Sequence, residues 1–257
     1  NQQPFEREET YWLKQLAGNA GGIRLPFDFP TTESHDFRGA LETTQIDAEL
    51  LTALRHLAQS RETTLANLFL ALFKLFLFRL TKQEDLCVGV SIASRNHPDL
   101  ENLLGFFVNV LPVRTSLSAN MEFDSLLNSV SQVAYEAYDH QDYPFDLMVA
   151  KLNPDRVANR QPLINVLYAF QNYGDVHMDV AAEGAAATAD DDTGLQIEPF
   201  PFAHSTAKFD LTLFAFDDAD RLLLHMEYDT SRFRPETIRK YLDALVRFAS
   251  TITSHVR

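Results

Sequence analysis

Apolar positions along the chain recur with two different periods, and each period marks an element. After Asp47-Ala48-Glu49, residues Leu50, Leu51, Leu54 and Leu57 fall on one helical face, so a helix opens there. Leu65 to Leu80 is the most apolar stretch, interrupted only by Asn67, Lys74 and Arg79. It is shorter than the ~20 residues a membrane span needs, so it reads as a helix buried on most sides, with Thr63-Thr64 as its cap. Phe123, Leu126, Leu127, Val130, Val133 and Ala134 predict an amphipathic helix over 122–138. Further helices are expected over Glu6–Leu16, over 143–152, where Tyr143-Pro144 suits a first turn, and from Pro235 onward, with Ile238, Tyr241, Leu242, Leu245, Phe248 and Ile252 on one face. Ala40–Ile46 alternates as a strand does. Leu86–Ile92 is a continuous apolar run, as an interior strand requires. Phe106–Val113 and Leu163–Gln171 are further strands. Lys208–Phe216 and Arg221–Tyr228 alternate with period two about Asp217-Asp218-Ala219-Asp220, which predicts a hairpin.

Helices and strands alternate, and a hairpin follows near the end. That order predicts an α/β fold: a mixed-sheet sandwich with flanking helices, formed by residues 1–257 as one compact unit. Residues 18–38 read as irregular. Residues 179–194 are alanine-rich and contain Asp190-Asp191-Asp192, a composition expected of a mobile loop.

Charge and cysteine usage narrow the chemistry. The net charge of −14 repels phosphate backbones, so a nucleic-acid partner is disfavoured. No stretch suits a membrane span. Cys87 is the single cysteine, so the chain forms no internal disulfide and no thiolate-based zinc site. It sits in the apolar run Leu86–Val90 and reads as an inert core residue; a reducing, cytoplasmic setting fits. There is no Gly-rich phosphate loop, no Cys/His or His/Glu metal spacing and no Gly-x-Ser-x-Gly elbow. The eight histidines are scattered, with no adjacent pair. Composition and periodicity leave the function open.

Two segments change that. Leu104-Gly105-Phe106-Phe107-Val108-Asn109-Val110-Leu111-Pro112-Val113-Arg114 resembles the "GFFVNT…R" motif of the condensation domains of nonribosomal peptide synthetases. His140-Gln141-Asp142-Tyr143-Pro144-Phe145-Asp146 resembles their "HQDYPFE" motif. Weaker likenesses lie at Tyr11–Leu16, Gly89–Arg95, Arg156–Leu163 (whose central residues differ from the family) and Ala207–Leu211, all in the family's order.

The resemblance implies a fold of two chloramphenicol acetyltransferase-like lobes. The first holds an "HHxxxDG" motif whose second histidine sits in a tunnel between them. That motif is absent here, so the resemblance implies the C-terminal, acceptor-side lobe. Residues 1–38 would form the inter-lobe lead-in and 172–206 a segment crossing to floor the tunnel, with a flexible insertion at 181–193. The implied reaction is amide bond formation between two thioesters on carrier proteins. This lobe would bind no cofactor itself; the phosphopantetheine belongs to the carriers. Expected partners are the N-terminal lobe, carrier proteins and an adjacent adenylation domain, and the isolated lobe would self-associate through its uncovered inner wall. A non-catalytic carrier-docking module, half of a heterocyclization domain and a freestanding acyltransferase using coenzyme A remain as alternatives. The Phe-Phe-Val-Asn run argues against epimerization.

No residue of this chain is expected to be catalytic. Asn109, Gly105, Phe107 and Ser205 are the candidates to face the tunnel or the phosphopantetheine arm. On a strand, Asn109 would share a face with Phe107 and Leu111. Its amide would either bond a substrate group or hold neighbouring backbone. Gly105, at the start of that strand, would allow close approach or simply form a turn. His140, Asp142, Tyr143, Pro144 and Phe145 read as structural: His140 at a helix end, Asp142 as cap of the next helix, and Tyr143 and Phe145 as anchors. Arg114 and Arg95 would pair with a carboxylate or a carrier phosphate. His225 reads as a surface or edge histidine. No metal site is expected.

Overall fold

The structure, a computed structural model, describes residues 5–18, 22–30, 37–95, 97–152, 163–172, 205–218 and 220–255. The elements in chain order are α1 (Glu6–Gln15), β1 (Gly39–Ile46), α2 (Ala48–Ser60), α3 (Leu65–Thr81), β2 (Asp85–Ile92), α4 (Pro98–Glu101), β3 (Asn109–Ser116), α5 (Phe123–Asp139), α6 (Phe145–Leu152), β4 (Val166–Asn172), β5 (Leu211–Asp218), β6 (Arg221–Asp229) and α7 (Pro235–His255). The strands form one sheet in the order β1-β6-β5-β4-β2-β3. β4 runs parallel to both of its neighbours, and the other pairs are antiparallel. The sheet is therefore mixed, as the alternation of elements predicts.

The helices follow the apolar stripes. Asp47 caps α2 by accepting from the Leu50 amide at 2.9 Å, and Thr64 caps α3 by accepting from Asn67 at 3.1 Å. α3 buries Leu68 to Phe73 and Phe76 to Phe78 in succession, because it lies between α2, α5, α7 and the sheet. Leu222, Leu224, Met226 and Tyr228 of β6 alternate into this core. Among the described residues no single helix is long and apolar enough to cross a membrane.

Three expectations need correction. β3 begins at Asn109, so residues 106–108 and Gly105 form an approach loop rather than the start of a strand. The short helix α4 supplies that loop with a fixed origin that periodicity does not reveal. The strand expected from Leu163 starts at Val166, after Leu163 takes a left-handed φ of 68°. His225 is neither surface nor edge: β6 lies between β1 and β5, and His225 is only 5% exposed, directly opposite Phe214 and edge-on to Phe216. Burial lowers its pKa. The expected loop at 179–194, the insertion at 181–193 and most of the 172–206 segment lie outside the described residues.

Candidate functional site

The two motif segments, about 30 residues apart in the chain, meet through one side chain. The Asn109 Nδ2 group donates to the carbonyls of Gln141 (3.0 Å) and Tyr143 (3.1 Å). Its Oδ1 accepts from the amide of Phe145 at 3.2 Å and from that of Val110 at 2.9 Å. The asparagine thus brackets the α5–α6 turn onto the first residue of β3. It also takes up the amide of Phe145, the first residue of α6, a group every helix start leaves without an intrahelical partner. Asp142 lies three residues before that helix and is not at its cap position, because α6 begins at Phe145 rather than at Tyr143-Pro144.

The same turn is fastened to α1. The Trp12 indole donates to the His140 carbonyl at 2.9 Å, and Tyr11 stacks on the His140 ring at 4.0 Å. His140 Nδ1 lies 2.8 Å from the Glu136 carbonyl in the last turn of α5, where a ring N–H satisfies a carbonyl the helix leaves open. Tyr143 is 2% exposed and donates its hydroxyl to Glu9 Oε2 at 2.8 Å. Burial, and then the Glu9 carboxylate, push the Tyr143 pKa up to about 12. The Tyr143 and Lys151 hydrogen bonds hold Glu9 below its usual range. Trp12, Tyr143 and Met148 close this corner of the core.

Arg114 leaves β3 on the side of α1. It grips Asp85 with two parallel bonds of 2.9 and 2.7 Å and also donates to the carbonyls of Gln15 and Ala17. The pair raises the Arg114 pKa and lowers that of Asp85. Arg95 lies 4.2 Å over the Phe107 ring and donates to the Leu100 carbonyl. Gly105 is exposed, and a Cβ there would stand 3.1 Å from the Phe107 ring.

Asn109, Phe107 and Gly105 are neighbours in sequence, but Phe107 precedes the strand and lies under Arg95 while Asn109 faces the α5–α6 turn, so the two do not share a strand face; Ser205 is far from all three. Ser205 accepts from the amide of Gly39 at the head of β1, while β3 forms the opposite edge of the six-stranded sheet. With about 4.8 Å between neighbouring strands, these edges lie roughly 24 Å apart. Gly39 itself is obligatory, since a Cβ there would come 2.3 Å from the Thr206 backbone.

Two buried polar groups escape sequence reasoning. Lys74 is fully buried in α3, and its ammonium donates to Val113 O (2.7 Å), Thr115 Oγ1 (3.1 Å) and Leu86 O (3.2 Å). Burial lowers its pKa to about 8. The second is an ionic cluster: Arg232 pairs with Asp210 at 2.7 Å and with Asp229 at 3.2 Å, all three 4% exposed or less. Asn165 joins Asp210 (2.6 Å) to the backbone of Ile23, which ties residues 22–28 to the sheet. The only signals in the sequence are a lysine inside an apolar run and an aspartate in the matched Ala207–Leu211 segment.

A groove of about 590 Å³ lies between α2 and the end of α7, lined by Glu49, Thr52, His56, Ser60 and Thr253 among others, and no motif residue borders it. Among the described residues no cluster of His, Cys, Asp or Glu could hold a metal ion. The corner formed by α1, β3 and the α5–α6 turn is a mechanical brace in which Asn109, Trp12, Tyr143 and Arg114 bond to neighbouring groups while the buried Tyr11 hydroxyl meets none among the described residues, and an uncharged loop projects from it.

Comparison with known proteins assigns the family. The profile of the Condensation domain family matches residues 1–257. Tyrocidine synthase 3 of Brevibacillus parabrevis is 35% identical over 236 residues, covering 92% of this chain and 4% of that protein. The chain spans less than a tenth of the length of this and similar curated relatives. In a four-domain nonribosomal peptide synthetase bound to AMP and glycine, a region superposes with a TM-score of 0.90 at 20% identity, covering 100% of this chain and 20% of that one. The condensation domain of the Monacolin K polyketide synthase MokA gives a TM-score of 0.76 at 17% identity, covering 97% of this chain and 57% of that one. By its sequence profile over residues 1–257, this chain belongs to the condensation domain family.

Proposed function

We propose that residues 1–257 are the C-terminal, acceptor-side lobe of a nonribosomal peptide synthetase condensation domain, with a chloramphenicol acetyltransferase-like architecture. The supporting observation is a pairing. The "GFFVNT…R" and "HQDYPFE"-like segments are present and joined by Asn109, while the "HHxxxDG" motif is absent from the sequence. The coverage agrees in proportion: this chain matches 57% of the MokA domain.

In the whole domain the reaction is attack of an acceptor amine, carried as an aminoacyl thioester, on the carbonyl of a donor thioester. An amide forms and the donor thiol leaves. Two carrier proteins deliver the substrates on phosphopantetheine arms. Their tethering converts a bimolecular encounter into a local one, which supplies much of the rate advantage. This lobe contributes one wall of the tunnel. Asn109 and the α5–α6 turn fix β3 and its approach loop; Gly105 and Phe107 would border the arm; Ser205 belongs to the segment that crosses to the other lobe. Adenylation and carrier domains are the expected neighbours. The histidine of the "HHxxxDG" motif, a motif this sequence lacks, would come from the other lobe, so this lobe alone is expected to turn over nothing.

The test supplies the chain with two loaded carrier proteins and follows peptidyl transfer by mass spectrometry of the carrier arms. No product above the carrier-only background is expected. Turnover above that background by residues 1–257 alone overturns the proposal.

A further inference from the structure

The segment between α4 and β3 is fixed at both ends and apolar at its tip. At its entrance, the Leu103 amide donates to the Leu100 carbonyl at 3.3 Å, and Arg95 holds both that carbonyl and the Phe107 ring. At its exit, Asn109 makes its four bonds. Between these anchors Leu104 is 102% exposed and Phe106 89% exposed, flanked by the half-exposed Leu103 and Val108. Residues 103–111 carry no charge, in a chain whose net charge is −14. A loop free to fold back would bury these side chains against the core; this one is held so that it presents them. Contiguous exposed apolar surface marks an interaction site, and prior fixation removes much of the ordering cost of binding.

We infer that Leu104 and Phe106 are the anchors by which this chain seats on the complementary half of a condensation domain, entering an uncharged apolar recess there. The inference rests on the reading above and adds the contact that joins the halves. Solved chains that share this fold contain nearly as much polypeptide again as this one matches, with coverage of 51–57%. An uncharged contact suits a permanent neighbour better than a phosphate-bearing arm, which needs cations or helix N-termini. A second copy fits poorly, because two convex loops meeting tip to tip bury little area.

The test co-expresses affinity-tagged residues 1–257 with the "HHxxxDG"-bearing half of a condensation domain and measures how much of that half co-purifies. With the wild-type chain the two halves are expected in equal amounts. The Leu104→Asp, Phe106→Asp double variant should lower recovery at least about 10-fold, since central aromatic and aliphatic anchors dominate such contacts. The Leu147→Asp variant, at an exposed leucine of α6, should leave recovery unchanged. Unaltered thermal unfolding of the double variant alone shows that the fold persists. Equal recovery with wild type and double variant overturns this inference and leaves the two-lobe reading standing. Failure of the wild-type chain to retain the other half overturns both. A homodimer of residues 1–257 that the double variant abolishes overturns it in favour of self-association.

Discussion

Replacing Asn109 tests the brace directly. In Asn109→Ala three bonds that span more than 30 residues disappear: those from Nδ2 to the Gln141 and Tyr143 carbonyls and the one from Phe145 to Oδ1. Each is worth about 0.5–1.5 kcal/mol net, and the site is only partly buried, so the loss should be about 2 kcal/mol. For a chain of this size that lowers Tm by about 4–8 °C. Asn109→Asp should be worse at pH 7 by about 1 kcal/mol or more, the cost of facing an ionised group with unpaired acceptors. It keeps the acceptor for Phe145 but turns a carboxylate toward two carbonyl oxygens. Those oxygens favour the protonated acid, so the folded-state pKa of the new carboxyl is raised above its unfolded value. The folded state then binds more protons, and the stability recovered in acid is lost as pH rises through the raised pKa. Urea unfolding at pH 7 and pH 5 measures both variants. An alanine variant within about 0.5 kcal/mol of wild type, or an aspartate variant no worse than alanine at pH 7, refutes the bracket.

Two further predictions concern groups outside the motifs. Arg232→Ala strands Asp210 and Asp229 in a site where all three residues are 4% exposed or less, and should cost about 3–5 kcal/mol by denaturant unfolding, whereas Arg232→Met with Asp210→Asn and Asp229→Asn should recover much of it. Lys74, with a pKa lowered from 10.5 to about 8, binds fewer protons folded than unfolded between those values, so stability should rise with pH across that window. At about 1.4 kcal/mol per pH unit the full rise is ~3 kcal/mol, and Lys74→Met should flatten the rise between pH 8 and 9.5 without lowering stability at pH 7.

What the sequence reveals depends on how far a residue's partners lie along the chain. α2 is readable because Leu51, Leu54 and Leu57 announce a buried face locally and Asp47 caps within three residues. The β5–β6 hairpin is readable from its alternation about Asp217–Asp220. The strand order is not, because parallel β4 between β2 and β5 is set by long crossovers rather than by any local pattern. His225 reads as exposed because alternation names a face but cannot say that Phe214 and Phe216 cover it. Asp142 reads as a cap because it is a good cap residue just before a helix; the acceptor for Phe145 comes instead from Asn109, 36 residues earlier. Arg232 and Lys74 show the same limit, since key partners lie about 20 to 40 residues away.

The Asn109 bracket also explains why a histidine-bearing motif need not be a catalytic one. Of the groups His140 offers, Nδ1 meets the Glu136 carbonyl, the ring face stacks on Tyr11 and the carbonyl accepts from Trp12. Asn109 in turn reads only backbone: two carbonyls and one amide of the turn, plus the amide of its own neighbour. A side chain that recognises backbone demands a particular turn shape rather than particular reactive groups, and Tyr143, Pro144 and Phe145 supply that shape with one buried ring, one rigid residue and one helix start. The consequence is directional. Whatever the loop at 103–108 touches, its position is set by the brace behind it, so changes at Asn109 or Arg95 should move the loop without touching its tip, and changes at Leu104 or Phe106 should alter contacts without softening the fold.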